Sequence, residues 1–106
     1  MTQRRQHFRV EYLPSLRPTL SINNTHYAIV NLSESGLIFI PERLRHFSPG
    51  DTVKGSITFS DGGTSIISGA VLRNQPDGVV VKLSQGVSFS RMLTEEKTLI
   101  QRKRTA

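Results

Sequence analysis

Three arginines crowd the start of this 106-residue chain, in the run Arg4-Arg5-Gln6-His7-Phe8-Arg9, with no lysine and no acid beside them. Arg5 and Arg9 are four apart, which puts them on one side of either a helical turn or an extended strand. Two guanidinium groups can therefore converge on one ligand. Each is a rigid planar fork that grips two phosphate oxygens, or the O6/N7 edge of guanine, with paired bonds. The plainer reading is a charged tail that keeps the chain in solution. A second group follows in Asn31-Leu32-Ser33-Glu34-Ser35-Gly36. Asn31 and Ser33 are two apart, so in a strand they share a face. The amide brings a donor and an acceptor, and the hydroxyl can act as either. Gly36 admits positive φ and would let the chain turn sharply into Leu37. The plainer reading here is an Asx or Ser turn that closes two strands.

Catalytic constellations are missing. His7, His26 and His46 stand 19 and 20 residues apart, and no HExxH or comparable metal spacing occurs. Glu95 and Glu96 are the only adjacent carboxylates, and consecutive helical residues do not face each other. The serines include no GxSxG elbow, and neither GxGxxG nor a Walker loop is present. No cysteine is present, which excludes disulfides and thiolate sites. The expectation is a protein that is not an enzyme and that needs no cofactor or metal.

The elements that would position the two groups are mostly strands. Leu20 and Ile22 alternate with Thr19 and Ser21, Asn23-Asn24 signals a turn, and Thr25 to Leu32 is β-branched and aromatic. Leu37 to Ile40 reads as another strand, followed by an irregular stretch from Glu42 to Ser48. Thr52 to Phe59, with Val53, Ile57 and Phe59 on one face, turns at Asp61-Gly62-Gly63 into Ser65 to Arg73. Pro76-Asp77-Gly78 then leads to a strand over Gly78 to Leu83. Five or six short strands joined by tight turns predict an antiparallel barrel or sandwich. After Gly86 the period changes. Phe89, Met92, Leu93, Leu99 and Ile100 fall on one helical face that would pack on the barrel, with Ser90 or Thr94 as cap and Glu95-Glu96 in the first turn.

The length suits one small domain. The net charge of +6 sits at the ends, with Arg4, Arg5 and Arg9 at one and Arg102, Lys103 and Arg104 at the other. Between them eight basic and eight acidic side chains balance. Basic arms of this kind commonly meet phosphate. Leu37-Ile38-Phe39-Ile40 and Val79-Val80-Val81 are far shorter than the roughly 20 residues of a membrane helix, and the basic start lacks the apolar stretch of a signal peptide. A cytoplasmic protein without membrane insertion is expected.

Taken together, an RRxxxR arm, NxSxxG at a strand end, an antiparallel barrel and a terminal helix resemble the PilZ family over essentially the whole chain. The resemblance implies a mainly β fold: a six-stranded antiparallel, split β-barrel with a C-terminal α-helix and a flexible basic N-terminal arm. It would be a single domain, with the arm over 1–16, the barrel over 17–86 and the helix and basic tail over 87–106. It further implies a receptor or adaptor that binds cyclic di-GMP, the bacterial second messenger, through Arg4, Arg5, Arg9, Asn31, Ser33 and Gly36. Ligand would reorder the arm and so signal to a downstream protein of motility, polysaccharide or pilus machinery. Asn31 stands where many members carry Asp. Lys82-Leu83-Ser84-Gln85 departs from the aromatic residue that members often show there. Two alternatives remain open. One is a small basic β-barrel that binds nucleic acid, which the scarcity of aromatic residues argues against; the other is a PilZ-fold interaction module that takes no ligand.

Overall fold

The computed structural model describes residues 9–41 and 46–105. The chain runs through β1 (Val10–Glu11), a single 3-10 turn (Pro14–Leu16), β2 (Thr19–Ile22), β3 (Thr25–Leu32), β4 (Gly36–Phe39), β5 (Thr52–Thr58), β6 (Thr64–Gln75), β7 (Gly78–Gln85) and α1 (Phe89–Thr105). Every pairing is antiparallel. The sheet runs β3-β2-β5-β6-β7-β4 and closes through β3–β4 into a six-stranded barrel. Closure leaves β2 to β7 without a free edge. The seventh strand, β1, adds to β3 outside that ring.

Alternation builds the interior. Leu20, Ile29, Phe39, Ile57, Ile67 and Val81 are fully buried, each from a different strand of the barrel. Asn23 and Asn24 both take positive φ, 49° and 67°, and make the two-residue hairpin turn between β2 and β3. At one end of the barrel, Tyr27, Phe39 and Phe47 interlock with ring centroids 5.0–5.8 Å apart in tilted and edge-on contacts.

Residues 10–16, expected in the arm, are part of the packed structure. Val10, Tyr12 and Leu16 are buried in the common core, and Pro14 starts the 3-10 turn. Residues 42–45 of the irregular stretch lie outside the described residues, and 46–48 have no regular structure.

The helix differs from its expected face and start. Met92 and Leu99 are buried, but so is Glu95, while Phe89, Leu93 and Ile100 are 50 %, 36 % and 46 % exposed. The apolar positions span a wider arc than the barrel can cover. The covered arc is the 92-95-99 side, where a polar partner waits for Glu95. Ser88 caps the helix: its Oγ accepts from the Arg91 N–H at 3.1 Å and its carbonyl from the Met92 N–H at 3.0 Å. Glu95 and Glu96 therefore fall in the second turn, and the first turn carries no acid.

Gly69 lies in the β6–β7 ladder, beside an irregularity in its register. A Cβ there would run into the Lys82 carbonyl, which belongs to the ladder and has little room to yield. Gly69→Ala is expected to lower stability by about 1–3 kcal/mol. Urea unfolding reads this directly, and an unchanged midpoint would mean that the two strands yield at that point.

Candidate functional site

Strict alternation along β3 puts Asn31 on the same face as Tyr27 and Ile29, which point inward. The barrel avoids burying the amide there by a bulge. Ile29 pairs with Phe39 and Asn31 with Ile38, leaving Val30 as the extra residue. Two residues then oppose one, and Asn31 emerges on the outer face while Leu32 enters the core opposite Leu37. β1 confirms the parity, since Glu11, opposite Asn31, is exposed and Val10, opposite Leu32, is buried.

The loop after β3 is held closely. The Ser33 N–H donates to the Gly36 carbonyl at 2.8 Å, and the Ser33 hydroxyl reaches the same oxygen at 3.3 Å. The Leu83 N–H donates to the Ser35 carbonyl at 2.8 Å, tying the loop to β7. Gly36 does not have the positive φ expected of it; Gly50, Gly62 and Gly78 are the glycines that do. Its requirement is spatial, because a Cβ at Gly36 would lie 3.0 Å from the Val81 carbonyl across the β4–β7 ladder.

Asn31, Ser33 and Gly36 line an outer cleft of about 210 Å³, and Arg9 joins them from the residue before β1. Asn31 and Ser33 are only 8 % and 7 % exposed. The Asn31 carboxamide makes no hydrogen bond among the described residues, so a buried amide retains donor and acceptor capacity toward the cleft. Arg4 and Arg5, the other half of the arginine motif, lie outside the described residues.

The far wall of the cleft was not singled out from the sequence. Arg73 and Lys82 line it, over apolar ground from Ile38, Leu72 and Val80. Lys82 pairs with Gly36 and alternates with the inward Val81 and Leu83. Its outward direction is readable from β7 alone, but its closeness to Gly36 depends on strand order. Arg73 gave no signal. Counting in twos from the buried Val71 would send it inward, whereas a second bulge at Leu72 sets both Leu72 and Arg73 against Val80 and turns the guanidinium out. The Arg73 Nε–H donates to Gln75 Oε1 at 3.1 Å, and Gln75 Nε2 donates to Asp77 Oδ1 at 2.7 Å. Among the described residues, all charged residues lining the cleft are cationic: Arg9, Arg73 and Lys82.

A scan against family models matches the PilZ domain over residues 3–104. The chain belongs to the PilZ domain family. Among curated proteins, none matches it by sequence. Among solved structures, the PilZ domain of Escherichia coli YcgR, determined with c-di-GMP, superposes with a TM-score of 0.65 at 16 % identity, covering 97 % of this chain and 96 % of that one. The Bacillus subtilis inhibitor of motility MotI (DgrA) gives 0.62 at 18 % identity and covers 97 % of this chain. This PilZ chain spans about half of that protein, 53 %. An uncharacterized Legionella protein gives 0.55 at 15 % identity, with 92 % of both chains covered. These are likenesses of fold.

A polar network joins the start of this PilZ domain to its helix. The Tyr12 hydroxyl donates to Glu95 Oε1 at 2.8 Å, and Arg91 Nη1 donates to Glu95 Oε2 at 3.2 Å and to Asp61 Oδ2 at 2.9 Å. The Arg91 guanidinium also lies 4.5 Å over the Phe59 ring. Tyr12 follows Arg9 by three residues, so the network fastens the base of the arm to α1 and to the β5–β6 turn. A groove of about 410 Å³ between β1 and α1 also borders Arg9. Among the described residues no helix is long and apolar enough to cross a membrane, and no group of three or more His, Cys, Asp or Glu could hold a metal ion.

Proposed function

We propose that this PilZ domain is a receptor for cyclic di-GMP that signals to a partner protein by reordering its N-terminal arm. The observation that carries the reading is the outer cleft, where Arg9, Asn31, Ser33 and Gly36 meet and every charged lining residue among those described is cationic. Cyclic di-GMP is its chemical complement, with two phosphates and two guanines. Arg5 and Arg9 would fork onto phosphates and guanine edges, with Asn31 and Ser33 bonding a base from the barrel. Arg4 would stack on a base or reach a second nucleotide. Charge-assisted bonds contribute about 1.5–3 kcal/mol each. A few of them, less the cost of ordering the arm, fit micromolar binding at about −8 kcal/mol.

The cleft is smaller than the roughly 300–1,000 Å³ that engulfs a drug-sized ligand. A dinucleotide seated on it keeps an open face, which an arm bearing Arg4 and Arg5 would cover. Neutralising their mutual repulsion is what would draw the arm down. The partner would read that change. A motility component is one class of partner, given the name of the Bacillus protein with the same fold.

Calorimetric titration with cyclic di-GMP, read for affinity and ratio, is the test. Micromolar or tighter binding is expected, with NMR shifts in residues 4–9 and near Ser33. A folded sample that gives no heat and no shift would sink the reading. The buried aromatic residues lend no support to nucleic-acid binding. Among the described residues Tyr12, Tyr27, Phe39 and Phe59 are all buried, so they form no stacking platform on the sheet.

A further inference from the structure

We infer that Arg73 and Lys82 form a second anion-binding wall of this site, opposite Asn31 and Ser33, and that this wall selects a ring with two phosphates over a nucleotide with one. The inference rests on the cyclic di-GMP reading and deepens it.

The two walls stand on different strands. Asn31 is on β3, Lys82 on β7 and Arg73 on β6, with β4 between the first two. Strand neighbours lie about 4.8 Å apart, so Asn31 and Arg73 are separated by three spacings, roughly 14 Å along the sheet. A compact mononucleotide held by its phosphate on one wall leaves the other wall empty. A cyclic dinucleotide, with phosphates on opposite sides of its ring, can engage both.

Arg73 is prepared for the task. The bulge at Leu72 presents it on the outer face, where a regular ladder would send it toward the core. Its Nε–H is taken by Gln75, and Gln75 is held in turn by Asp77. That contact fixes the plane of the guanidinium and leaves the Nη groups to point elsewhere, so less freedom is lost when an anion arrives. Lys82 adds a mobile point charge one strand nearer to Gly36. Among the described residues, no carboxylate lines the cleft to neutralise either cation. Both side chains are exposed, and their removal leaves the core intact.

The test is calorimetry of the full chain and of Arg73→Gln, Lys82→Gln and Arg73→Lys, titrated with cyclic di-GMP and with GMP. Lys54→Gln removes the same charge from β5, which does not line the cleft, and serves as control. Arg73→Gln and Lys82→Gln are each expected to weaken cyclic di-GMP about tenfold or more. Binding of GMP, weak throughout, should change less than threefold, and Lys54→Gln should match the wild type. Arg73→Lys should recover part of the loss, because it restores charge without the fork. If the wild type binds cyclic di-GMP and both glutamine variants bind it equally well, the second wall is wrong while the function stands. If the variants lose GMP and cyclic di-GMP in equal proportion, the wall binds anions without selecting the ring. A wild type that takes no cyclic di-GMP overturns both readings together.

Discussion

Glu95→Ala is expected to remove about 3 kcal/mol of stability, an unusually large effect for a helix position whose neighbours Thr94 and Glu96 are not buried. Glu95 is 4 % exposed and holds two donors at once, the Tyr12 hydroxyl and Arg91. Alanine strands the phenol in a site already closed to water, which alone costs about 1–3 kcal/mol. The side chain's volume is lost as well. Arg91 fares better, because it is partly exposed and keeps Asp61 and the Phe59 ring. That places the expected loss at the low end of the range for broken buried pairs. Glu95→Gln retains an acceptor for Tyr12 and should lose only about 1 kcal/mol. Chemical unfolding of the two variants checks the assignment. Equal losses would mean that the carboxylate charge paired with Arg91, which both variants remove, holds the helix rather than packing or the acceptor for Tyr12. Because Tyr12 anchors the segment that begins at Arg9, Glu95→Ala should also weaken the proposed ligand.

The same network sets the pH limits. Burial first, then the hydrogen bond to Glu95 and its negative charge, hold the Tyr12 phenol well above its usual value near 10. In the unfolded chain the phenol titrates at about pH 10. Above that pH the unfolded chain sheds a proton that the folded chain keeps, so stability falls as pH rises. Below it, the contribution is constant. Tyr12→Phe should flatten this alkaline limb, as followed by thermal unfolding between pH 8 and pH 11. On the acid side, the Gly63 N–H and then Arg91 hold the Asp61 carboxyl below its usual value of 3.8. Its contribution is present above that value and is lost as pH falls below it. Asp61 is exposed, so the acid limb should be shallow.

The barrel could be read from the sequence because its strands are regular where the core requires it. Thr25 to Leu32 has the bounds of the expected strand, and Val53, Ile57 and Phe59 point inward as alternation predicts. The Asn23-Asn24 and Asp61-Gly62-Gly63 turns lie where their residue types require. What alternation cannot supply is a break in its own period. Asn31 and Arg73 both owe their direction to an extra residue, Val30 in one strand and Leu72 in the other, and nothing in Ile29-Val30-Asn31 or Val71-Leu72-Arg73 marks which residue is extra. The paired motif located Asn31 despite this, because it depends on residue identity and not on period. Glu95 was hidden for a related reason. On a helix wheel it is a polar residue beside an apolar stripe, and its burial depends on Tyr12, 83 positions away, as well as on Arg91.

Arg9→Ala is expected to weaken cyclic di-GMP about a hundredfold. Arg9 is the one arginine of the arm whose position at the cleft is described, and it stands immediately before the strand that pairs with Asn31. An arginine fork that engages a phosphate or a guanine edge makes two charge-assisted bonds. At about 1.5–3 kcal/mol each, less the side-chain ordering that alanine avoids, the net falls near the 2.8 kcal/mol that corresponds to roughly a hundredfold. Arg9→Lys separates fork from charge. If geometry dominates, lysine should recover no more than about tenfold, and that recovery should fade with added salt, because a point charge at the surface is screened over about 8 Å at physiological ionic strength. Arg9 is exposed, so the unfolding midpoint of either variant should match the wild type. An alanine variant that binds with unchanged affinity would remove Arg9 from the site. Among the described residues, the cationic character of the cleft would then rest on Arg73 and Lys82.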